Sequence, residues 1–228
     1  MSPRGAHSFT LAEARLLALP TGALLWPEAR TLVVSDLHLG KSERMARRGG
    51  ALTPPYETLD TITRLQADLD RADPRTVICL GDSFDDREAA DSLGEPEARA
   101  LDHAMRGRNW IWVEGNHDPG SLPLGGLHAA DVTMPPLTLR HIAEPGATGE
   151  VSGHYHPKAT LPMPSGAVTR PCFLLDEDRL VLPAYGTYTG GLDTASTPLR
   201  SLMRPGSIAI LTGRSAVPMP MPRMRRSA

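Results

Sequence analysis

The sequence is poor in aromatic residues and in cysteine. Phe, Trp and Tyr make up only 4% of the 228 residues, whereas all hydrophobic types together reach 40%. A buried core must therefore be built mainly from aliphatic side chains, and the chain is long enough to enclose one. The two cysteines, Cys79 and Cys172, are too few for a disulfide framework. Such sparse cysteine usage is typical of proteins in a reducing compartment.

The sequence also lacks long apolar runs and an excess of basic charge. No run approaches the roughly 20 apolar residues that span a bilayer, and the N-terminus has no signal-peptide pattern. We therefore expect a cytoplasmic protein with no membrane partner. The sequence has 24 Lys and Arg residues and 26 Asp and Glu residues, which gives a net charge of −2. This balance argues against a generic basic protein that binds nucleic acid through its overall charge.

Three buried-type strands are predicted in the first half of the chain, over residues 31–34, 76–80 and 110–113. A helix is predicted from about Tyr56, because apolar residues recur there at helical spacing. A weaker helix, interrupted by Gly94 and Pro96, is predicted over residues 86–107. This alternation of strands and helices predicts an α/β architecture whose sheet carries the functional residues at its carboxyl edge.

After Gly125-Gly126 the pattern changes to short strands between Gly- and Pro-containing turns, which predicts a second sheet with little helix. These strands are expected over residues 132–140, 150–153, 171–175, 180–183 and 207–211. The two halves are expected to share one core, which makes residues 1–213 a single domain. The last segment, 214–228, is rich in Pro, Met and Arg without periodicity, and we predict that it is a disordered tail.

Side chains that can bind metals come at or just after the predicted strands. In chain order they are Asp36-x-His38, Gly81-Asp82-x-x-Asp85, Gly115-Asn116-His117-Asp118, His141 and Gly153-His154-x-His156. Alternate residues of an extended segment point the same way, so each x-separated pair is expected to aim two ligands at one place. Carboxylate, amide and imidazole groups without thiolate suit Mn²⁺, Fe or Zn²⁺. The glycines before Asp82, Asn116 and His154 allow close backbone approach without Cβ clashes.

In their order and spacing these motifs resemble the calcineurin-like metallophosphoesterases, over about residues 25–212. The resemblance implies a four-layer fold, in which two mixed β-sheets pack as a sandwich flanked by helices. It also implies hydrolysis of phosphate esters with two divalent ions, for which we expect Mn²⁺, with Fe or Zn²⁺ as alternatives. Two such ions add four positive charges to the net −2, so affinity for a phosphate-rich polymer should depend on bound metal.

The resemblance also implies a role for each motif residue. One ion would be held by Asp36, His38 and His156, and the other by Asn116, His141 and His154, with Asp82 bridging the two. His117 would stabilise or protonate the leaving oxygen, and Asp85 would orient His117. His141 has no glycine beside it, and His128 is the alternative ligand at this position.

A narrower resemblance is to the bacterial ligase-associated DNA damage response endonucleases (the PdeM group). It is carried by residues 36–41, 47–50 with 54–55, 81–84 and the segment Pro183-Ala184-Tyr185-Gly186-Thr187-Tyr188-Thr189-Gly190-Gly191. It implies a nuclease that acts on DNA in repair, with a functional link to a DNA ligase. A basic segment follows the first motif, and its Lys41, Arg44, Arg47 and Arg48 are candidates for contact with a phosphate backbone. The alternative for this segment is the solvated face of a short helix.

Other functions compatible with the same motifs differ in substrate. The main alternative is a phosphodiesterase or phosphatase that acts on nucleotides or other small phosphate esters, and a phosphoprotein phosphatase is a further one. A non-catalytic scaffold of the same fold would be expected to have lost ligands, whereas every motif residue is present here.

Overall fold

A computed structural model describes residues 3–47, 49, 56–120, 122, 124–164 and 166–222. Within these residues the chain forms two β-sheets and five helices. In chain order the elements are β1 (His7–Leu11), β2 (Ala14–Ala18), β3 (Leu24–Trp26), β4 (Thr31–Val34), α1 (Lys41–Arg47), α2 (Glu57–Ala72), β5 (Thr76–Leu80), α3 (Arg87–Asp91), α4 (Glu95–Met105), β6 (Asn109–Val113), β7 (Leu127–Ala129), β8 (Asp131–Met134), β9 (Leu137–Arg140), β10 (Glu150–Ser152), β11 (Lys158–Met163), β12 (Gly166–Leu175), β13 (Arg179–Val181), α5 (Thr197–Leu202), β14 (Ile208–Leu211) and β15 (Val217–Pro220).

The first sheet contains β1 to β7 in sequence order. Strands β1 to β4 pair antiparallel, whereas β4 to β7 pair parallel. All four residues of β4 are buried. Leu32 and Val34 pack in the cluster shared with the helices, whereas Val33 packs in the cluster between the sheets. This two-sided burial confirms the prediction from the continuous apolar sequence.

The second sheet has the order β15-β14-β12-β13-β10-β9-β8, and β11 extends it by pairing with β12. Its β9, β10 and β13 are parallel neighbours and its other pairs are antiparallel. Both sheets are therefore mixed. The layer between them is aliphatic apart from a few aromatic rings, and includes Leu16, Ile78, Leu139, Phe173 and Leu180.

Helices cover the outer face of each sheet. Ile62, Leu65 and Leu69 of α2 pack with Leu101 of α4 against the first sheet. Leu199 of α5 packs on the outer face of the second sheet. The result is the four-layer sandwich flanked by helices that the sequence predicts. No helix in the described part of the chain has both the length and the apolar character needed to cross a membrane.

The C-terminal segment differs from its prediction. Disorder was expected from residue 214, yet Val217–Pro220 forms strand β15 and pairs antiparallel with β14. A segment that contains proline can form this strand because β15 lies at the edge of the sheet. An edge strand has one side without a neighbour, so a proline whose missing N–H faces that side removes no hydrogen bond from the sheet. The prediction is therefore wrong for 217–220, and residues 223–228 lie outside the described part of the chain.

The two sheets bring the carboxyl ends of their parallel strands to one place. The loop after β4 contacts the loop after β5, since the His38 amide donates to the Asp82 carbonyl at 2.9 Å. In the second sheet the Gly153 amide, after β10, donates to the carbonyl of His141, after β9, at 3.0 Å. The sheets are joined at this edge by the His154 amide, which donates to Asp36 Oδ2 at 3.0 Å.

Candidate metal centre and active site

Two adjoining clusters of potential metal ligands lie where the sheets meet, and a third group, His38, Asp85 and His117, shares His38 with one of them. The first cluster is Asp36, His38 and His156, and the second is Asp82, His141 and His154. In each cluster, one ligand atom per residue lies within 4.8 Å of the others. Asp36 Oδ1 connects them, because it lies 3.1 Å from His156 Nε2 and 3.9 Å from His141 Nδ1.

Asn116 belongs to the second cluster, since its Oδ1 lies 3.0 Å from His141 Nε2. The same nitrogen of His141 lies 3.3 Å from His154 Nδ1. His128, the alternative to His141, lies instead on β7, where its Nδ1 accepts a hydrogen bond from the Leu122 amide at 3.3 Å. The structure thus brings His141, and not His128, to the cluster.

Hydrogen bonds at the rear of two imidazoles aim their other nitrogens into the clusters. His38 Nδ1 lies 2.9 Å from Asp85 Oδ1, and His141 Nδ1 lies 2.9 Å from the Leu80 carbonyl. Each Nδ1 therefore carries the proton, and each Nε2 presents a lone pair. His38 Nε2 faces His156 Nε2 at 3.4 Å. Converging lone pairs beside buried carboxylates fit divalent cations, and the oxygen and nitrogen donors suit first-row metals.

The Asp82 carboxylate is held in its charged form. Burial alone would raise the pKa of Asp82, but the neighbouring His141 imidazole and the hydrogen bond from the His117 amide lower it to about 2. Burial also opposes protonation of His141, yet the neighbouring carboxylates of Asp82 and Asp36 raise its pKa. The pKa of His154 is lowered, first by burial and then by the nearby His141. Asp82 thus supplies a charged carboxylate to the second cluster.

Five of the six cluster residues have a backbone conformation that L-residues rarely adopt. The φ angles are +54° at Asp36, +45° at His38, +45° at Asp82, +71° at His154 and +45° at His156. The prediction that the x-separated pairs are extended is therefore wrong, and ligands are aimed by left-handed turns. Each such residue costs about 1–2 kcal/mol relative to ordinary backbone.

The glycines of the motifs have the steric role that the sequence predicts. A Cβ on Gly81 would overlap the imidazole of His141, and one on Gly115 would overlap the backbone of Asp82. A Cβ on Gly153 would overlap side chains at the carboxyl end of β4. All three positions require a residue without a side chain, because no real Cβ atom approaches other atoms so closely.

The contacts of Asp85 differ from the prediction that it orients His117. His117 Nδ1 donates to the Asp85 backbone carbonyl at 2.8 Å, whereas the carboxylate binds His38 Nδ1 at 2.9 Å and Arg44 Nη1 at 2.7 Å. Burial would raise the pKa of the Asp85 carboxyl, but these two partners hold it well below its usual range. The Asp85 side chain therefore orients His38, and only its main chain orients His117. The rings of His38 and His117 pack edge to face, with their centroids 5.1 Å apart.

The basic segment predicted to contact phosphate forms helix α1, and its charges are paired. Arg44 lies 3.4 Å from Asp86 in addition to its bond with Asp85, and Lys41 lies 4.0 Å from Asp85. Arg47 binds three carboxylates, those of Glu43, Asp86 and Glu88. Arg48 lies outside the described residues. Contact between this segment and a phosphate backbone stays a prediction. The described basic side chains of the segment already have carboxylate partners, with which a phosphate would have to compete.

Asp118 is a structural residue of the site to which the sequence analysis assigns no role. Its buried carboxylate accepts hydrogen bonds from the amides of Ser83 at 2.7 Å, Phe84 at 3.1 Å and Gly115 at 3.2 Å. Burial raises its pKa to about 6 despite these bonds. Asp118 thereby ties the loop after β6 to the loop after β5. Its place at the end of the motif Gly115-Asn116-His117-Asp118 is the sequence signal for this role.

Comparison with known proteins agrees with this geometry. The calcineurin-like phosphoesterase family matches residues 29–164, which is more than half of the chain. Among solved structures, the Pseudomonas putida nuclease MPE superposes with a TM-score of 0.75 and 28% sequence identity. The match covers 94% of this chain and 100% of that protein. No curated protein matches the chain in sequence.

The mixed sandwich, the two ligand clusters and the family match lead to one conclusion. The family match covers the residues of every predicted motif, and the side chains converge as a metal-dependent reaction requires. The chain belongs to the calcineurin-like phosphoesterase family and is a metal-dependent phosphoesterase.

Proposed function

We propose that the protein is a binuclear nuclease that hydrolyses phosphodiester bonds in DNA. The observation that carries this proposal is the pair of adjoining clusters, each with two buried residues and one half-buried residue. The similarity to a protein described as a nuclease supports a diester rather than a monoester substrate. The resemblance to the ligase-associated endonucleases supports DNA as the polymer, and a role in DNA repair beside a ligase.

We assign Asp36, His38 and His156 to one ion, and Asn116, His141 and His154 to the other. Asp82 is assigned as the bridge, a role supported by its low pKa and by its position 3.4 Å from His141 Nε2. When bound, two divalent ions polarise phosphoryl oxygens and lower the pKa of a nucleophilic water. The mixed oxygen and nitrogen ligands favour Mn²⁺, with Fe and Zn²⁺ as alternatives.

His117 is assigned to the leaving group. Its Nδ1 is engaged by the Asp85 carbonyl at 2.8 Å, so its Nε2 is the nitrogen left to face substrate. A proton on Nε2 can pass to the departing oxygen, which avoids expelling an unprotonated alkoxide. The half-buried position of His117, against the ring of His38, supports this assignment.

The test is hydrolysis by protein that has been stripped with a chelator and reloaded with a defined metal. Substrates are single-stranded, double-stranded and nicked DNA, together with bis(p-nitrophenyl) phosphate. We expect no hydrolysis after chelation and recovery with Mn²⁺. Replacing His117 by Ala should lower turnover by about 10²–10⁴-fold while leaving metal bound. Replacing Asp82 by Asn should lower the metal content itself.

The matched control is His103→Ala, which removes an exposed histidine of α4 away from both clusters. It should retain full activity. Hydrolysis of bis(p-nitrophenyl) phosphate or of a cyclic nucleotide, without cleavage of any DNA, would overturn the nuclease assignment in favour of small phosphate esters. Full activity after exhaustive chelation would overturn the metal assignment.

A further inference from the structure

We infer that a single strand of the substrate lies in a basic groove formed by α2, the loop after β13 and the loop before β15, rather than over α1. This inference deepens the proposed function and rests on it. Two cavities make up the groove, of about 470 Å³ and 660 Å³. They share Pro20, Thr21 and Gly213 as walls, so they are continuous.

The inner end of the groove lies against the ligand clusters. The wall residue Gly186 donates its amide hydrogen to the Asp36 carbonyl at 3.1 Å. A second lining residue, Lys158, follows His156 by two residues. One lining segment therefore continues from a first-cluster ligand, and another is hydrogen-bonded to the main chain of a first-cluster ligand. A chain bound in the groove would reach the clusters at this end.

The groove is positively charged. Among the described residues that line it, five are basic and one is acidic: Arg4, Arg64, Arg71, Lys158 and Arg214 against Asp68. The single acid is 3% exposed, and the hydroxyls of Thr21 and Tyr185 donate to it at 2.6 Å and 2.9 Å. Its charge is thus directed into the protein and not into the groove.

The outer arginines of the groove are free to bind an anion. Arg4 and Arg214 are exposed, and neither forms an ion pair with any residue in the described ranges. Arg71 is 65% exposed in its side chain, with one contact of 3.4 Å to Asp68. The arginines of α1 differ, because each already binds two or more carboxylates. A polyanion would have to break those pairs on α1, whereas Arg4 and Arg214 of the groove are without an ion pair among the described residues.

An aromatic ring stands at the inner end. Tyr188 is 52% exposed, so its large ring is open to solvent. Its φ of +61° is a left-handed backbone conformation that is unfavourable for a residue with a side chain. The loop is fixed beside it, because Lys158 Nζ donates to the Thr189 carbonyl at 2.9 Å. Basic side chains that follow a backbone, combined with an exposed ring for stacking, are typical of sites for single-stranded nucleic acid. Paired bases of a duplex would leave no face for Tyr188.

The experiment measures binding of a fluorescein-labelled 12-nucleotide single strand by anisotropy, with Mn²⁺ present. Phosphorothioate linkages keep cleavage slow. The test variant is Arg4→Gln/Arg71→Gln/Arg214→Gln. The control is Arg99→Gln/Arg106→Gln/Arg204→Gln, which removes the same charge from exposed positions outside the groove. We expect the test variant to raise Kd by roughly tenfold and to reduce the salt slope by about 2. The control should stay within about twofold of the wild type.

A second pair of variants tests the aromatic contact. Tyr188→Ala should raise Kd by roughly tenfold, which corresponds to the loss of one stacked base. Tyr188→Phe keeps the ring and should bind like the wild type. Turnover of bis(p-nitrophenyl) phosphate, which is too small to occupy the groove, should be the same in all of these variants.

The outcomes separate this inference from the proposed function. Equal Kd and salt slope in the two triple variants would refute the groove, as would failure of the wild type to bind the single strand. Tighter binding of an acidic peptide than of the oligonucleotide would also refute it. Binding that depends on the groove, without cleavage of a normal oligonucleotide, would leave the groove standing and refute the nuclease assignment.

Discussion

Replacing Gly115 by Ala should displace Asp82 from the second cluster. A Cβ at this position would overlap the Asp82 backbone nitrogen and lie 2.6 Å from Asp118 Oδ1. Neither neighbour can move freely. The Asp82 backbone is fixed within the loop after β5, and three amide donors hold the Asp118 carboxylate. The loop after β5 must therefore shift as a unit.

The size of the effect follows from this packing. Overpacking at a rigid position costs about 1–3 kcal/mol of unfolding free energy. A shift on the order of 1 Å in a catalytic group lowers turnover by roughly 10²-fold. We therefore expect moderate destabilisation, with a much larger loss of activity and of metal affinity. The loss should be in kcat, because the substrate-facing surface is unchanged.

The control is Gly125→Ala, in the loop after the same strand. Its Cβ would meet only Met105 Cε, at an ordinary 3.8 Å, and neither glycine has a positive φ. The comparison thus isolates steric overlap from backbone strain. The measurements are urea denaturation, Mn²⁺ per chain by mass spectrometry of the metal, and turnover of bis(p-nitrophenyl) phosphate. Wild-type metal content and turnover in Gly115→Ala would refute the reasoning.

Three further predictions concern stability and reactivity. Arg179→Ala should destabilise the protein by about 3 kcal/mol in urea denaturation, the lower end for a broken buried pair, because Glu150, 1% exposed and 3.0 Å from Arg179 Nη1, would keep only Arg140, at 3.7 Å, as an ion-pair partner among the described residues. Tyr185→Phe should cost about 0.5–1.5 kcal/mol, the worth of its 2.9 Å hydrogen bond to Asp68. Both cysteine thiols should resist a disulfide reagent at pH 8 and react fully in guanidinium chloride, since burial raises their pKa values.

The two substitutions each have a matched control. Arg99→Ala removes an arginine whose ion pair with Glu95 is exposed, and it should change stability by less than about 0.5 kcal/mol. Tyr188→Phe removes an exposed hydroxyl and should leave the melting temperature unchanged. A similar loss for Arg99→Ala and Arg179→Ala, or rapid thiol labelling of the native protein, would contradict the burial argument.

The candidate ligands were predictable because Asp, Asn and His side chains can bind metals in any fold, and here they directly follow predicted strands. Parallel strands carry their carboxyl ends to one edge, so Asp36, Asp82 and Asn116 had to lie near one another once the strands were recognised. The local geometry was not predictable in the same way. The left-handed conformations of Asp36 and His38 depend on the surrounding loops, and residue type alone does not specify them.

The ion pairs of the α1 side chains were a second feature that the sequence did not predict. The basic run of α1 is visible in the sequence, but its partners Asp86 and Glu88 lie some 40 residues away, in and just before α3. The basic groove has the opposite character, since its arginines come from distant segments and form no run. Strand β15 is a similar case, because its disorder-like composition is overridden by the open edge of β14.

The left-handed backbone of the ligand residues has a consequence for how the protein tolerates substitution. Five residues at about 1–2 kcal/mol each store on the order of 5–10 kcal/mol at one edge of the sandwich, which is comparable with the stability of a whole domain. Glycine at any of these positions would relieve part of that strain while removing a ligand. The residues assigned to the metal ions are thus the ones whose replacement by glycine should make the empty fold more stable.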